Sequence, residues 1–208
     1  MAGEPIMNFI LLAAGFGKRM GGNKALMNFN GKPWALTQLQ QIAEAGLTKT
    51  LLVTNPDSAM ALTKILSQIP SKFLPQTTLL TNPYPEKGPF SSLQLAIAAG
   101  LEESSFLCPI DVPLSAKTLK IMRRSWRQTH EIEALIPLYQ ERKGHPVILS
   151  SNLQRSLLCL SSDSPEARLD FILKSLPENK KRILTIEDPN IIKNLNTPED
   201  LIHEILAT

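Results

Sequence analysis

The sequence predicts a three-layer α/β fold around a mainly parallel sheet. Three observations carry this. Short apolar runs alternate with longer amphipathic ones, the amphipathic runs place apolar residues at helical spacing, and no repeat, low-complexity stretch or linker interrupts the pattern. One domain over residues 1–208 is the simplest account.

Met7–Leu12 reads as a buried strand stopped by glycines. Trp34–Gly46 carries Leu36, Leu39, Ile42 and Ala43 on one face and reads as a helix ended by Gly46. Thr50–Thr54 is a strand, Ser58–Ile69 a helix and Thr77–Leu80 a short strand. Ser91–Leu101 is a helix, Ser105–Ile110 a strand and Ala116–Thr129 a helix with a basic outer face. Beyond it, Ala134–Leu138, Val147–Leu149 and Arg182–Ile186 read as strands, and Asn152–Leu160 and Glu166–Leu176 as helices. A final helix covers Thr197–Leu206, with Thr197 at its N-cap and Pro198 in its first turn.

Composition narrows the function classes. Apolar residues make up 43% of the 208, which fits a globular chain. The net charge of +3 is spread along the sequence and is too small to argue for nucleic acid, which is not expected as a partner, while it is compatible with a polyphosphate substrate. Cys108 and Cys159 form no C-x-x-C pair, so neither a zinc site nor a disulfide framework is expected, and a reducing cytoplasm is. Phe9–Ala14 is too short to span a bilayer and ends in Gly-Phe-Gly, so neither a signal peptide nor a membrane partner is expected.

The strongest motif is ILLAAGFGKRMGGNKAL, residues 10–26. Gly15, Gly17, Gly21 and Gly22 let the backbone turn tightly and expose N–H groups directly after a buried strand, while Lys18, Arg19 and Lys24 add cations. Such a loop cradles phosphates at the carboxyl end of a strand. The dinucleotide pattern G-x-G-x-x-G fails because Met20 stands where its third glycine belongs. The P-loop fails because Asn23 and Lys24 follow Gly22 instead of Lys and Ser or Thr.

The second motif is Cys108-Pro109-Ile110-Asp111-Val112-Pro113. Asp111 at the end of a buried strand is either a hard oxygen ligand for Mg²⁺ or a cap on the following turn. Beside a phosphate loop, the metal reading is the better one. His145 in Gly144-His145-Pro146 either contacts a substrate or packs in its turn. Trp34 reads as core, Lys180-Lys181-Arg182 as a solvated turn, and His130 and His203 as inert on helix surfaces.

Taken in order, L-A-A-G-x-G-x-R-M-G-x-x-K, G-P-x-x-S-L, D-x-P, G-H-P and N-x-N-T-P-E-D-L resemble the molybdenum-cofactor nucleotidyltransferases, guanylyl and cytidylyl, from about residue 8 to about residue 204. The resemblance implies a Rossmann-like sandwich of the nucleotide-diphosphosugar transferase kind. It also implies transfer of NMP from an NTP to a phosphorylated acceptor, molybdopterin or molybdenum cofactor, with release of pyrophosphate. Transient contact with cofactor-biosynthesis or molybdoenzyme proteins would follow.

Carried onto matching positions, it implies nucleoside contacts at Leu12, Ala13, Ala14, Gly15 and Gly17, with Arg19 and Lys24 on the phosphates. It implies Mg²⁺ on Asp111, a base-side loop at Gly88, Pro89 and Ser91, and nearby roles for Asn55, Asn194 and Asn196. Ala14 and Ser91-Ser92 look cytidylyl. Gly21-Gly22-x-Lys24 and the Asn194/Asn196 pair look guanylyl, because the cytidylyl branch carries acids at that pair. GTP is favoured over CTP on this balance. The chemistry asks for alignment and charge stabilisation rather than a side-chain base. A pyrophosphorylase for a sugar 1-phosphate and a nucleotide-binding module without turnover are the competing readings.

Overall fold

The computed structural model describes residues 7–100, 103–129 and 131–206. His130, read above as inert, and the end of the helix expected to reach Leu101 lie outside the described residues.

The central sheet contains β1 (Asn8–Ala13), β4 (Lys49–Thr54), β5 (Gln76–Thr81), β6 (Ser105–Pro109), β7 (Ala134–Tyr139), β8 (Arg142–Lys143), β9 (Val147–Leu149) and β10 (Lys181–Thr185). Its order is β10-β7-β9-β6-β1-β4-β5, with β8 paired to β7. The pairs β1–β4, β1–β6, β4–β5 and β7–β10 are parallel, whereas β9 runs antiparallel between β6 and β7. A small hairpin of β2 (Asn28–Phe29) and β3 (Lys32–Pro33) stands apart.

Strand alternation builds the three layers. Phe9, Leu11 and Ala13 of β1, with Phe106 and Cys108 of β6, join one core. There they meet Leu39 and Ile42 of α1 (Trp34–Glu44), Leu62 of α2 (Pro56–Ser67), and Leu119 and Met122 of α4 (Ala116–Arg127). Ile10 and Leu107 point the other way, onto Leu93 and Ile97 of α3 (Pro89–Ala98), Leu153 and Leu157 of α5 (Ser151–Leu158) and Leu173 of α6 (Leu169–Ser175). Phe9 and Phe106 stack at 5.7 Å across the β1–β6 seam, a contact that adds about 1 kcal/mol beyond its buried area.

Every expected strand and helix is present, with boundaries shifted. Helices α2 and α3 start earlier than expected because Pro56 and Pro89 occupy their first turns. Gly46 follows α1 at φ 76°, as a helix stop requires. The last helix, α7 (Pro198–Leu206), is capped by Thr197: its Oγ1 accepts from the Asp200 N–H, and Asp200 accepts in return from the N–H of Thr197.

The hairpins were not anticipated. Asn30 and Gly31 turn the first at positive φ, a signal present in the sequence as Asn-Gly. Gln140 and Glu141 turn the second at positive φ without any such signal. Lys181 is not a solvated turn residue. Its ammonium donates to the carbonyls of Lys174 and Leu176 and pairs with Glu178 at 2.9 Å.

Candidate active site

The chain leaves β1 toward β4 and β5 on one side, then returns to place β6 on the other. The carboxyl ends of β1 and β6 therefore flank a topological switch point, where open α/β sheets bind ligands. A cavity of about 380 Å³ opens there.

Three walls form it. Leu12, Ala14, Gly15 and Gly17 of the first turn supply one, and Lys18 and Arg19 project from the single 3₁₀ turn Lys18–Met20. Gly17 holds φ 60°, and a Cβ there would lie 1.8 Å from the Gly22 carbonyl oxygen. That carbonyl, together with the Met20 and Gly22 N–H groups donating to the Gly17 oxygen, closes the turn tightly. Asn23 fastens it from beneath: its amide donates to the Ala13 carbonyl at 3.0 Å, and its Oδ1 accepts from the Ala25 N–H.

The second wall is Gly88, Pro89 and Ser92, with Pro85. Asn82, at the end of β5, donates to the hydroxyls of Ser91 and Ser92 at 2.9 Å and accepts from the Tyr84 N–H. The third wall is Pro109, Ile110, Asp111 and Asn196. The Leu195 N–H donates to the Asp111 carbonyl and so draws Asn196 into the cavity.

Lys24 crosses the floor. Its Nζ donates to Asp111 Oδ2 at 3.1 Å and to Asn196 Oδ1 at 2.9 Å. Asp111 Oδ1 is shut from water and has no hydrogen-bond partner. Asp111 therefore does not cap the turn after β6. An unpartnered buried oxygen is costly, and a carboxylate oxygen in a cationic cleft is the kind of hard ligand that could hold a divalent metal. Among the described residues no group of three or more His, Cys, Asp and Glu gathers in one place.

The structure brings together Leu12, Ala14, Gly15, Gly17, Arg19, Lys24, Gly88, Pro89, Asp111 and Asn196. Others from the sequence reading lie elsewhere. Ala13 is buried beneath the turn. Asn55 is also buried: its amide donates to the carbonyls of Ala14 and Gly15, and its Oδ1 caps α2 on the Ser58 N–H. Ser91 turns back onto the Gly88 carbonyl, and Ser92 faces the cavity in its place. Asn194 is exposed and lines neither cavity.

His145 lines a second cavity of about 600 Å³ that shares Leu12, Pro89 and Pro109 with the first. Burial lowers its pKa, against the opposing effects of the Asp111 charge and the Leu107 carbonyl. Trp34 is core, tilted against Phe29 with ring centroids 4.7 Å apart and donating from Nε1 to the Ile110 carbonyl.

Asn23 and Asn82 are supports that the sequence motifs do not name. Asn82 had a legible signal, since it precedes a proline at the end of its strand as Asn55 does.

Comparison with known proteins identifies a family and a fold. The family profile described as MobA-like NTP transferase domain matches residues 9–179. No curated protein matches the chain in sequence. Among solved structures, Rv0371c from Mycobacterium tuberculosis H37Rv superposes with a TM-score of 0.76 at 19% identity, covering 98% of this chain and 99% of that one. The same protein in complex with manganese gives 0.69 at 18% identity, covering 97% and 99%. A nucleotidyl transferase from Methanothermobacter thermautotroptrophicus gives 0.73 at 18% identity, covering 97% and 98%. At these identities the likeness is one of fold: a mostly parallel sheet with helices on both faces.

Proposed function

The chain belongs to the MobA-like NTP transferase domain family, and from that premise we propose that it is a single-domain, Mg²⁺-dependent nucleotidyltransferase moving NMP from an NTP to a phosphorylated acceptor. The observation that carries this reading is Asp111, whose Oδ1 is orphaned and whose Oδ2 is held by Lys24 in the cleft under the glycine turn. A module that only binds nucleotide has no use for an unsatisfied carboxylate placed among its phosphate cations.

In the proposed reaction an oxygen of the acceptor phosphate attacks the α-phosphorus. The bond to the bridging oxygen breaks, and its electron pair leaves on pyrophosphate. The attacking oxygen is already anionic, so no side-chain base is required. Lys18, Arg19 and Lys24 spread the negative charge, and Ala14, Gly15 and Gly17 hold the nucleotide against the backbone. Asp111 and the Asn196 amide would hold the metal, which supplies neutralisation of the triphosphate when bound. The manganese complex of the mycobacterial structure supports a divalent ion.

The order of the sequence motifs supports molybdopterin as acceptor. The neutral Asn196 in the cleft, with Gly21-Gly22-x-Lys24, supports GTP over CTP. Among the described residues no helix is long and apolar enough to cross a membrane, and both cysteines are unpaired, which supports a cytoplasmic setting. The test is a thermal-shift panel of NTPs with Mg²⁺, followed by a coupled pyrophosphate assay with molybdopterin. GTP should stabilise most, and pyrophosphate should appear only with acceptor. Stabilisation by no NTP would overturn the reading.

A further inference from the structure

Helix α4 carries five of the chain's 22 cations, Lys117, Lys120, Arg123, Arg124 and Arg127, and none of its 19 acids. No acid occurs between Asp111 and Glu131, and the rest of the chain has more acids than cations. None of the five lines either cavity.

The fold gives this helix two unlike sides. Ala116, Leu119 and Met122 are buried in the core beneath it, and Trp126 packs against that core. Arg123 donates to the Gly46 carbonyl at 2.9 Å. Lys117, Lys120 and Arg124 are exposed and fall on one stripe at i, i+3 and i+7, with Ile121 between them at 42% exposure. The three cations span about 10 Å along the helix axis. Among the described residues, none of the three makes an ion pair or a side-chain hydrogen bond.

Folding does not account for the stripe. Lys117 and Lys120 are like-charge neighbours at i,i+3, as Lys120 and Arg124 are at i,i+4, and each such pair weakens a helix. A helix face that needs only solvation interleaves acids with its cations.

We propose that this face docks an acidic helix of another protein, one with carboxylates at i, i+3 and i+7 and an aliphatic side chain among them to meet Ile121. Charge complementarity selects such a partner, and an apolar contact ringed by polar groups is how an interface centre is built. A bilayer is the poorer match, because the apolar side of α4 is committed to the core and leaves one aliphatic side chain to insert. A nucleic acid would find no aromatic side chain on the stripe to stack its bases. The docking does not depend on the chemistry in the cleft.

The test is fluorescence anisotropy of a labelled, end-capped helical peptide repeating Glu-Ala-Ala-Glu-Leu-Ala-Ala, titrated with the whole chain. Its carboxylates and leucine recur at the spacing of Lys117, Lys120 and Ile121. The peptide should bind, and its affinity should fall about tenfold as salt rises from ~0.05 M to ~0.5 M. The same peptide with Gln for Glu should bind roughly tenfold more weakly or worse. Lys117→Glu combined with Lys120→Glu should weaken binding by about tenfold or more, and Ile121→Ser by about threefold. An acid at position 117 suits the first turn of a helix, so the double variant should melt as the unaltered protein does. Arg124→Gln gives the same readout if it does not. Vesicles of phosphatidylglycerol and phosphatidylcholine in equal parts, and a single-stranded oligouridylate, should bind more weakly than the peptide. No peptide binding, a Gln peptide bound as tightly, affinity indifferent to these variants in protein that melts normally, or tighter binding of vesicles or oligouridylate would each overturn the proposal.

Discussion

Lys24 Nζ lies 3.1 Å from Asp111 Oδ2, although the two residues are 87 positions apart and come from different strand ends. The pair joins the phosphate loop to the metal candidate. Without ligand, each neutralises the other. In the proposed reaction Lys24 would serve the phosphates and Asp111 the metal.

Replacing Asp111 by Ala should lower turnover by about a hundredfold or more, since it removes the group placed to hold the charge-neutralising metal. Thermal stability should change little, because the unpartnered Oδ1 is lost together with the Oδ2 that pairs with Lys24. Steady-state kinetics and a melting curve on one preparation check both halves.

Lys24→Ala should raise the KM for NTP and lower kcat together, each by roughly tenfold or more, as expected for a cation acting on the phosphates in ground and transition states. Arg19→Ala should act in the same direction without disturbing Asp111, whose ion pair is with Lys24. Unchanged NTP affinity in both variants would remove the phosphate role from this turn.

Asn55→Ala should weaken NTP binding although Asn55 touches neither cavity. It removes the cap of α2 and the donor to the Ala14 and Gly15 carbonyls, at a cost of about 1 kcal/mol or more in stability. Gly17→Ala should be more damaging still, because its Cβ would collide with the Gly22 carbonyl and φ is positive. Melting temperature and NTP titration together distinguish a loosened turn from a lost contact.

Much of this arrangement is legible in the sequence because it is local. Residues 10–26 announce a strand, a tight turn and cations within one window, and Asp111 stands at the end of a clearly apolar strand. What was hidden depends on tertiary direction. Nothing in Val147–Leu149 says that β9 runs antiparallel between β6 and β7, because a short apolar run reads the same either way. The supporting asparagines Asn23 and Asn82 act on backbone and hydroxyl groups that only the folded turn brings near. The second cavity draws Phe90, Ile136, Ala167 and Leu173 from separate elements, so no motif describes it.

His145 gives a pH signature. Burial holds its folded pKa below the ordinary 6.5, with Asp111 and the Leu107 carbonyl opposing. Between that lowered value and 6.5 the unfolded chain binds more protons than the folded one, so stability rises with pH through the window and falls on acidification. His145→Gln should flatten the melting temperature across this window relative to the unaltered protein. Parallel pH profiles of the two would contradict the assignment.

The most direct measurement of the central claim follows label from GTP in the presence of Mg²⁺ and molybdopterin. Label at the α-phosphate should move onto the acceptor and label at the γ-phosphate into pyrophosphate, in equal amounts, with both transfers lost in Asp111→Ala. GTP that binds in the cleft yet yields γ-label only as inorganic phosphate, or label transfer that survives Asp111→Ala undiminished, would contradict it.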